Sequence, residues 1–437
     1  MTIDLTEPMQ RLSGVGGEAR GLSRLALGLE PSEILTIAYD VRARIQAGED
    51  ILNLTVGDFS SAQFPVPELL SEGVIRAVRE GHTNYPPAPG VPECREAIIG
   101  MTERRLGIRY PLGSCMVVGG ARPAIAGSYL ALVNPGDRVV YGLPSWNNNY
   151  YATITGAQPV ELPTRAEDFF FPRPEDIEPH VRSARLICLN TPQNPTGTVI
   201  DAGDLEQICR MVVDENIRRR SAGERELYVM FDQVYWALTF DGVRHRTPIE
   251  LVPEIGTHAI LVDGVSKGYA ATGLRVGWAL GPPDIIQRMT AILTHIGCWA
   301  PRPEQVATAG LLSDDHALDA YLEGMRGAVR KRLGLLDEAV QSFKGEFEVD
   351  TIRPQGAIYL SIKLDLAGRK TSDGVVLETD EHIRRHILEH AGVALVPFRC
   401  FGVKEQGRWF RASVGVASIE ECASVEGRLS RALERLS

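Results

Sequence analysis

From about residue 50 to residue 280, short runs of consecutive apolar residues alternate with helical patterns, and each run ends in turn-forming residues. The runs include Met116-Val117-Val118, Arg138-Val139-Val140-Tyr141, Leu186 to Leu189, Leu227 to Phe231, Ile260 to Val262 and Val276 to Leu280. Strands that are apolar on successive positions have both faces covered, so the alternation predicts an α/β chain with a mainly parallel sheet flanked by helices. Near residue 316 the period changes. Leu318, Leu322, Met325, Val329, Leu333, Leu336 and Val340 mark one face of a long helix. Gly324, Gly327 and Gly334 weaken it by up to about 1 kcal/mol each relative to alanine. With 437 residues the chain is long enough for two domains.

Three of the runs deliver chemistry at their ends. The first opens into Asn190-Thr191-Pro192-Gln193-Asn194-Pro195-Thr196-Gly197, where two prolines fix the backbone around an amide. The second ends in Asp232, followed by Gln233-Val234-Tyr235. The third leads to Gly264-Val265-Ser266-Lys267, with Arg275 eight residues further on in Gly273-Leu274-Arg275-Val276-Gly277. A lysine at a strand end is open to desolvation, which lowers its pKa and suits it to Schiff-base chemistry. Ser266 and Arg275 offer a hydroxyl and a guanidinium fork for a phosphate. Taken singly, Lys267 reads as a solvated loop residue and Asp232 as a turn residue. Three such groups at successive strand ends fit a ligand crevice better, because ligands of open α/β sheets bind beyond the carboxyl ends of the strands. Val118-Gly119-Gly120-Ala121-Arg122-Pro123 adds a glycine turn and a helix start, with the N–H groups of Ala121 and Arg122 free to face an anion. Arg411, in Trp409-Phe410-Arg411-Ala412-Ser413, lies on a short apolar strand, where a guanidinium is costly unless it is paired.

These motifs, with Tyr85-Pro86-Pro87-Ala88-Pro89-Gly90 and Asn134-Pro135-Gly136-Asp137, resemble those of the class I/II aminotransferases of the fold-type-I pyridoxal-phosphate enzymes, the aspartate aminotransferase branch in particular. The resemblance runs from about Asn53 to Arg411. It implies a large cofactor-binding domain over 51–325 with a mainly parallel seven-stranded sheet. It also implies a smaller α/β C-terminal domain over 326–437 and an N-terminal arm over 1–50 that joins the small domain. The activity implied is transfer of an amino group from an L-amino acid, aspartate or a related one, to a 2-oxo acid, with pyridoxal 5'-phosphate as cofactor.

The same resemblance implies individual roles. Lys267 carries the cofactor and moves the Cα proton. Asp232 pairs with the ring nitrogen, Asn194 and Tyr235 bond the phenolic oxygen, and Trp146 stacks on the ring. Gly120, Ala121, Arg122, Ser266 and Arg275 hold the phosphate, joined by Tyr85 from a neighbouring subunit in a homodimer. Gly57, Trp146, Asn194 and Arg411 face the substrate, with Arg411 on its α-carboxylate. For a side-chain carboxylate, Arg122 and Arg302 are the cationic candidates. The loop Phe59-Ser60-Ser61-Ala62-Gln63-Phe64 departs from the commoner pattern and offers aromatic surface, which suits an aromatic or alanine-type donor as the alternative. Another enzyme on this cofactor, such as a C–S lyase, would have the same pocket. Release of pyruvate or ammonia without a keto-acid acceptor distinguishes it.

The formal net charge of −10 argues against non-specific nucleic-acid binding. The residues before Asn53 show no helix-turn-helix pattern or basic face, which disfavours a transcription regulator. No apolar stretch approaches the roughly 18 residues that span a bilayer, the first residues lack a signal-peptide pattern, and seven scattered cysteines point to reduced thiols in a cytoplasm. Gly14-Val15-Gly16 follows no strand, so it is not a dinucleotide fingerprint. His382, His386 and His390 have metal-ligand spacing, but the arginines at 384 and 385 oppose a cation, and a solvated helix face is expected there, with no metal.

Overall fold

The computed structural model describes residues 4–11 and 20–437. The glycine-rich Ser13 to Gly17 stretch lies outside them. The large sheet has seven strands, β1 (Cys115–Val118), β2 (Arg138–Leu143), β3 (Gln158–Pro163), β4 (Ala184–Asn190), β5 (Tyr228–Asp232), β6 (Ala259–Gly264) and β7 (Gly277–Leu280). Their order is β1-β7-β6-β5-β4-β2-β3. Six strands share one direction, and β7, which lies between β1 and β6, is antiparallel to both. The central strands are covered on both sides. Val229 and Phe231 of β5 join one core cluster, and Tyr228 and Met230 join the other. That two-sided burial is why these segments read as unbroken apolar runs. Strand β3 was not foreseen. It is an edge strand containing Pro159 and Pro163, and proline is tolerated at such an edge because the missing N–H is not required there.

A second sheet has four antiparallel strands, β8 (Val349–Ile352), β9 (Tyr359–Leu364), β10 (Val396–Pro397) and β11 (Trp409–Ser413), in the order β10-β11-β9-β8. The helix Asp315–Gln341 reaches from one core to the other. Leu318 and Leu322 pack with the large sheet, and Met325, Val329, Leu333 and Leu336 pack with the small one. The boundary expected after residue 325 falls inside this helix. From the N-terminal side, the helix Glu33–Gln46 contributes Ile34 to a cluster with Val396, Phe398 and Phe401. Its Ile37 and Val41 pack on Leu388 and Ala394.

The histidine stretch differs from expectation. Within the helix Asp380–Ala391, His386 is buried and its Nε2 lies 2.9 Å from the Ala432 carbonyl. Burial lowers its pKa. This face is therefore packed against the helix Val425–Leu433 rather than solvated, because Ile383 and Ile387 turn the same side of the helix inward. Among the described residues, no helix is long and apolar enough to cross a membrane.

Candidate active site

Beyond the carboxyl ends of β4, β5 and β6, a cavity of about 360 Å³ opens between the two sheets. Asn194, Asp232, Tyr235, Ser266, Lys267 and Arg275 reach it from the large sheet, Ala121 and Arg122 from the helix Ala121–Leu132, and Trp146 from the segment after β2. Gly57 lies on the opposite wall, and Arg411 enters from β11. Gly120 stands just behind, with φ +97°, in contact range of the Arg275 guanidinium, so that any side chain there would collide with it.

Lys267 follows β6 in a single short turn and lines the cavity. Its Nζ donates to the Gly57 carbonyl at 2.6 Å. Burial pulls its pKa down to about 8; the Asp58 carboxylate opposes this, while Arg411, Arg122 and Arg275 add to it. Asp232, at the tip of β5, is buried and accepts from the Val234 N–H at 3.2 Å. Burial pushes its pKa up to about 7, against the pull of that N–H and of Lys267. A carboxyl group held this way gains strongly from a cationic N–H placed beside it.

Arg411 is 1% exposed. Its Nη1 donates to Asn194 Oδ1 at 2.9 Å and its Nη2 to the Thr55 carbonyl at 2.6 Å, while Nε has no partner. The ring centroids of Tyr359 and Phe401 lie 4.8 and 4.9 Å from the guanidinium carbon. Arg275 turns its guanidinium onto the carbonyls of Thr272 and Gly119, at 2.6 and 3.0 Å. Arg122 lies 5.0 Å from the centroid of the Trp146 ring. Among the described residues, none of these three arginines has a carboxylate partner. The helix beginning at Ala121 has no side-chain cap, which leaves first-turn N–H groups open to an anion. Three unpaired guanidinium groups, an open helix end and a desolvated amine around one cavity form a receptor for several negative charges.

Residues 49–425 match the family model of aminotransferase class I and II. The chain belongs to that family. The aspartate aminotransferase of Geobacillus stearothermophilus is 28% identical over 419 residues, which are 94% of this chain and 99% of that protein. The aspartate/prephenate aminotransferase of Thermus thermophilus is 30% identical over 388 residues, 88% of this chain and 93% of that one. The solved structure of aspartate aminotransferase from Thermus thermophilus with maleate has a TM-score of 0.83 at 28% identity, covering 94% of this chain and 100% of its own. This class I and II aminotransferase uses pyridoxal 5'-phosphate to move an amino group from an L-amino acid to a 2-oxo acid.

Two expected residues of the aminotransferase lie away from the cavity of their own chain. Tyr85 is 81% exposed and its ring leans on Trp299 at 5.3 Å. Arg302 begins the helix Arg302–Leu312 and bonds Asn84, so of the two candidate cations only Arg122 lines the pocket. The loop from Phe59 to Phe64 divides its two aromatic rings. Phe64 is buried in the small-sheet core, while Phe59 packs against its edge at 5.4 Å and keeps its ring centroid 6.0 Å from Lys267 Nζ, so only one of the two rings stands beside the cavity's lysine. Sequence reasoning passed over Thr55, Asp58, Asn190 and Tyr359. Thr55 contributes only a carbonyl, for which no side-chain signal exists. Tyr359 looks like any aromatic residue in a buried strand.

Proposed function

We propose that this aminotransferase takes an acidic amino donor, aspartate or glutamate, and that the observation carrying this reading is Arg122. It shares one cavity with Arg411 and lacks a carboxylate partner, as Arg411 does. Two cations suit the two carboxylates of a dicarboxylic substrate, and a buried cation left unpaired is penalised by several kcal/mol. The structural relative with maleate is a protein that holds a dicarboxylate, which supports the same reading. The runner-up is an aromatic donor, favoured by Ile34, Leu35, Ile125 and Trp146 in the cavity wall.

The roles follow from the donor set. Pyridoxal phosphate, when bound, supplies an electron sink for the charge that develops at the substrate Cα. Ser266, Arg275 and the N–H groups of Ala121 and Arg122, with Gly120 giving them room, would hold its phosphate. Asp232 would keep the ring nitrogen protonated, Asn194 and Tyr235 would bond the ring oxygen, and Trp146 would cover the ring. Arg411 receives the α-carboxylate and fixes which way the Cα–H points. Lys267, with its pKa near 8, has a free-amine fraction at neutral pH and moves the Cα proton through Nζ. Gly57, whose carbonyl holds that amine, lines the substrate side. Tyr85 would reach the phosphate of a neighbouring subunit in a homodimer, in keeping with its exposure. Seven free cysteines support residence in a reducing cytoplasm.

Steady-state kinetics on aspartate, glutamate, phenylalanine and alanine with 2-oxoglutarate test the proposal. An acidic donor should have the highest kcat/KM. A far higher value for phenylalanine or alanine would overturn the acidic reading and leave the aminotransferase standing.

A further inference from the structure

Tyr359 begins β9 in the small sheet, and Tyr235 stands just past the tip of β5 in the large one. Their hydroxyl oxygens lie 2.6 Å apart and their rings meet edge to face, with centroids 5.6 Å apart. Both residues are almost fully buried, yet both line the cavity. Gly57 makes room for this pair, since a Cβ there would sit 2.6 Å from the Tyr359 hydroxyl. The Gly57 carbonyl meanwhile holds Lys267 Nζ. Burial raises the pKa of both phenols, so each keeps its proton at working pH.

Two neutral phenols sharing one hydrogen bond have one proton between them and one left over. Neither hydroxyl has another hydrogen-bond partner among the described residues, and either can donate the shared bond. If its proton lies on the shared bond, the proton of Tyr235 is free to point into the cavity. The reverse arrangement would aim the free proton from Tyr359 and leave Tyr235 only accepting capacity. A hydroxyl that accepts a hydrogen bond also donates a stronger one, by about 10–30% per bond.

We infer that Tyr359 is a positioning residue that donates its hydroxyl proton to Tyr235 and thereby aims and strengthens the bond that Tyr235 donates to the ring oxygen of the cofactor. The inference rests on the proposed role of Tyr235. It makes the small sheet a participant in cofactor electronics as well as in carboxylate binding. Because Arg411 lies over the Tyr359 ring, the donor also sits beside the place where the substrate carboxylate arrives.

An absorbance titration of the holoenzyme tests this by following the proton on the lysine–cofactor linkage. A donor to the ring oxygen competes with that proton for the same lone pairs. Weakening the donor therefore holds the proton more tightly and moves the midpoint up. Tyr235→Phe should raise the midpoint, and Tyr359→Phe should raise it less, by about a few tenths of a pH unit. In the Tyr235→Phe background, Tyr359→Phe should add nothing, since the two act through one bond. An unmoved or lowered midpoint in Tyr359→Phe, with Tyr235→Phe shifted upward, would overturn the inference alone. An equal shift in both backgrounds would also overturn it, because Tyr359 would then act on the cofactor without Tyr235. If Tyr235→Phe leaves the midpoint unchanged, the role of Tyr235 falls and the inference falls with it.

Discussion

The two walls of the cavity are built differently. On the large-sheet side, Asn194, Asp232 and Lys267 lie at or just past the ends of three adjacent parallel strands, β4, β5 and β6. Local turns set their backbone positions, although the Lys267 amine and the Asn194 amide also bond across the cavity to Gly57 and Arg411. On the small-sheet side, Arg411 is held by long-range partners, Asn194 and the Thr55 carbonyl, which lie 217 and 356 residues away in sequence. Local turns leave a mark in sequence and cross-domain contacts do not. Under the proposed roles, the division also separates tasks: the first wall would face the chemistry of the cofactor, and the second the carboxylate of whatever amino acid is bound.

That separation can be broken by substitution. The largest effect is expected for Lys267→Ala, which should lower transamination by more than about 10⁴-fold with every donor and remove the visible absorbance of lysine-bound cofactor. Retained, borohydride-reducible absorbance would mean that another amine carries the cofactor. Asp232→Ala should keep the fold and some bound cofactor while kcat drops on the order of 10²–10³-fold for all donors. Near wild-type turnover would reduce Asp232 to a turn residue.

Arg411→Ala strikes the other wall. It should lower kcat/KM by about 10²–10³-fold for acidic and apolar donors alike, mainly through KM, with the absorbance of bound cofactor retained. If kcat alone fell, the two walls would not divide the work as described. Arg122→Ala sharpens the comparison, because this residue comes from the large domain yet is assigned to the substrate. Aspartate and glutamate should lose on the order of 10–10²-fold in kcat/KM, while alanine changes little. Equal losses for all donors would return Arg122 to the cofactor alone. The smallest change concerns acidity. In cofactor-free protein, reaction of Lys267 with an amine-directed reagent should rise with a midpoint near pH 8 rather than near 10.5, because burial disfavours the charged form. A midpoint near 10.5 would show the amine to be solvated.

Sequence reading succeeded where one segment contains its own explanation. The apolar runs before Asn190, Asp232 and Lys267 mark strands covered on both faces, and the residues after them have to turn. It failed where the partner is remote or the chemistry is anonymous. Tyr359 sits in Ala357-Ile358-Tyr359-Leu360, which reads as core, and its hydroxyl partner is 124 residues away. Phe59 and Phe64 carry the right composition for a substrate wall, yet the small-sheet core takes Phe64 and leaves only the Phe59 ring beside Lys267, since burial of aromatic area outweighs exposure in a cavity. His386 shares its i, i+4 spacing with two other histidines, and only the position of the helix Val425–Leu433 decides that it is covered.

The fastening of Arg411 has a consequence during synthesis. A chain emerging from its N-terminus completes β1 to β7 and possesses Lys267, Asp232 and Asn194 well before residue 411 exists. Domains tend to fold in that order, at roughly 5–20 residues per second. For that interval the nascent protein carries the lysine without the guanidinium to which binding of the α-carboxylate is assigned. The Asn194 carbonyl and the Thr55 carbonyl meanwhile wait for a donor that has not yet been made. Under the proposed roles, α-carboxylate binding is thus the last property the chain acquires, and a C-terminally truncated product would keep Lys267 and Arg122 but lack that site.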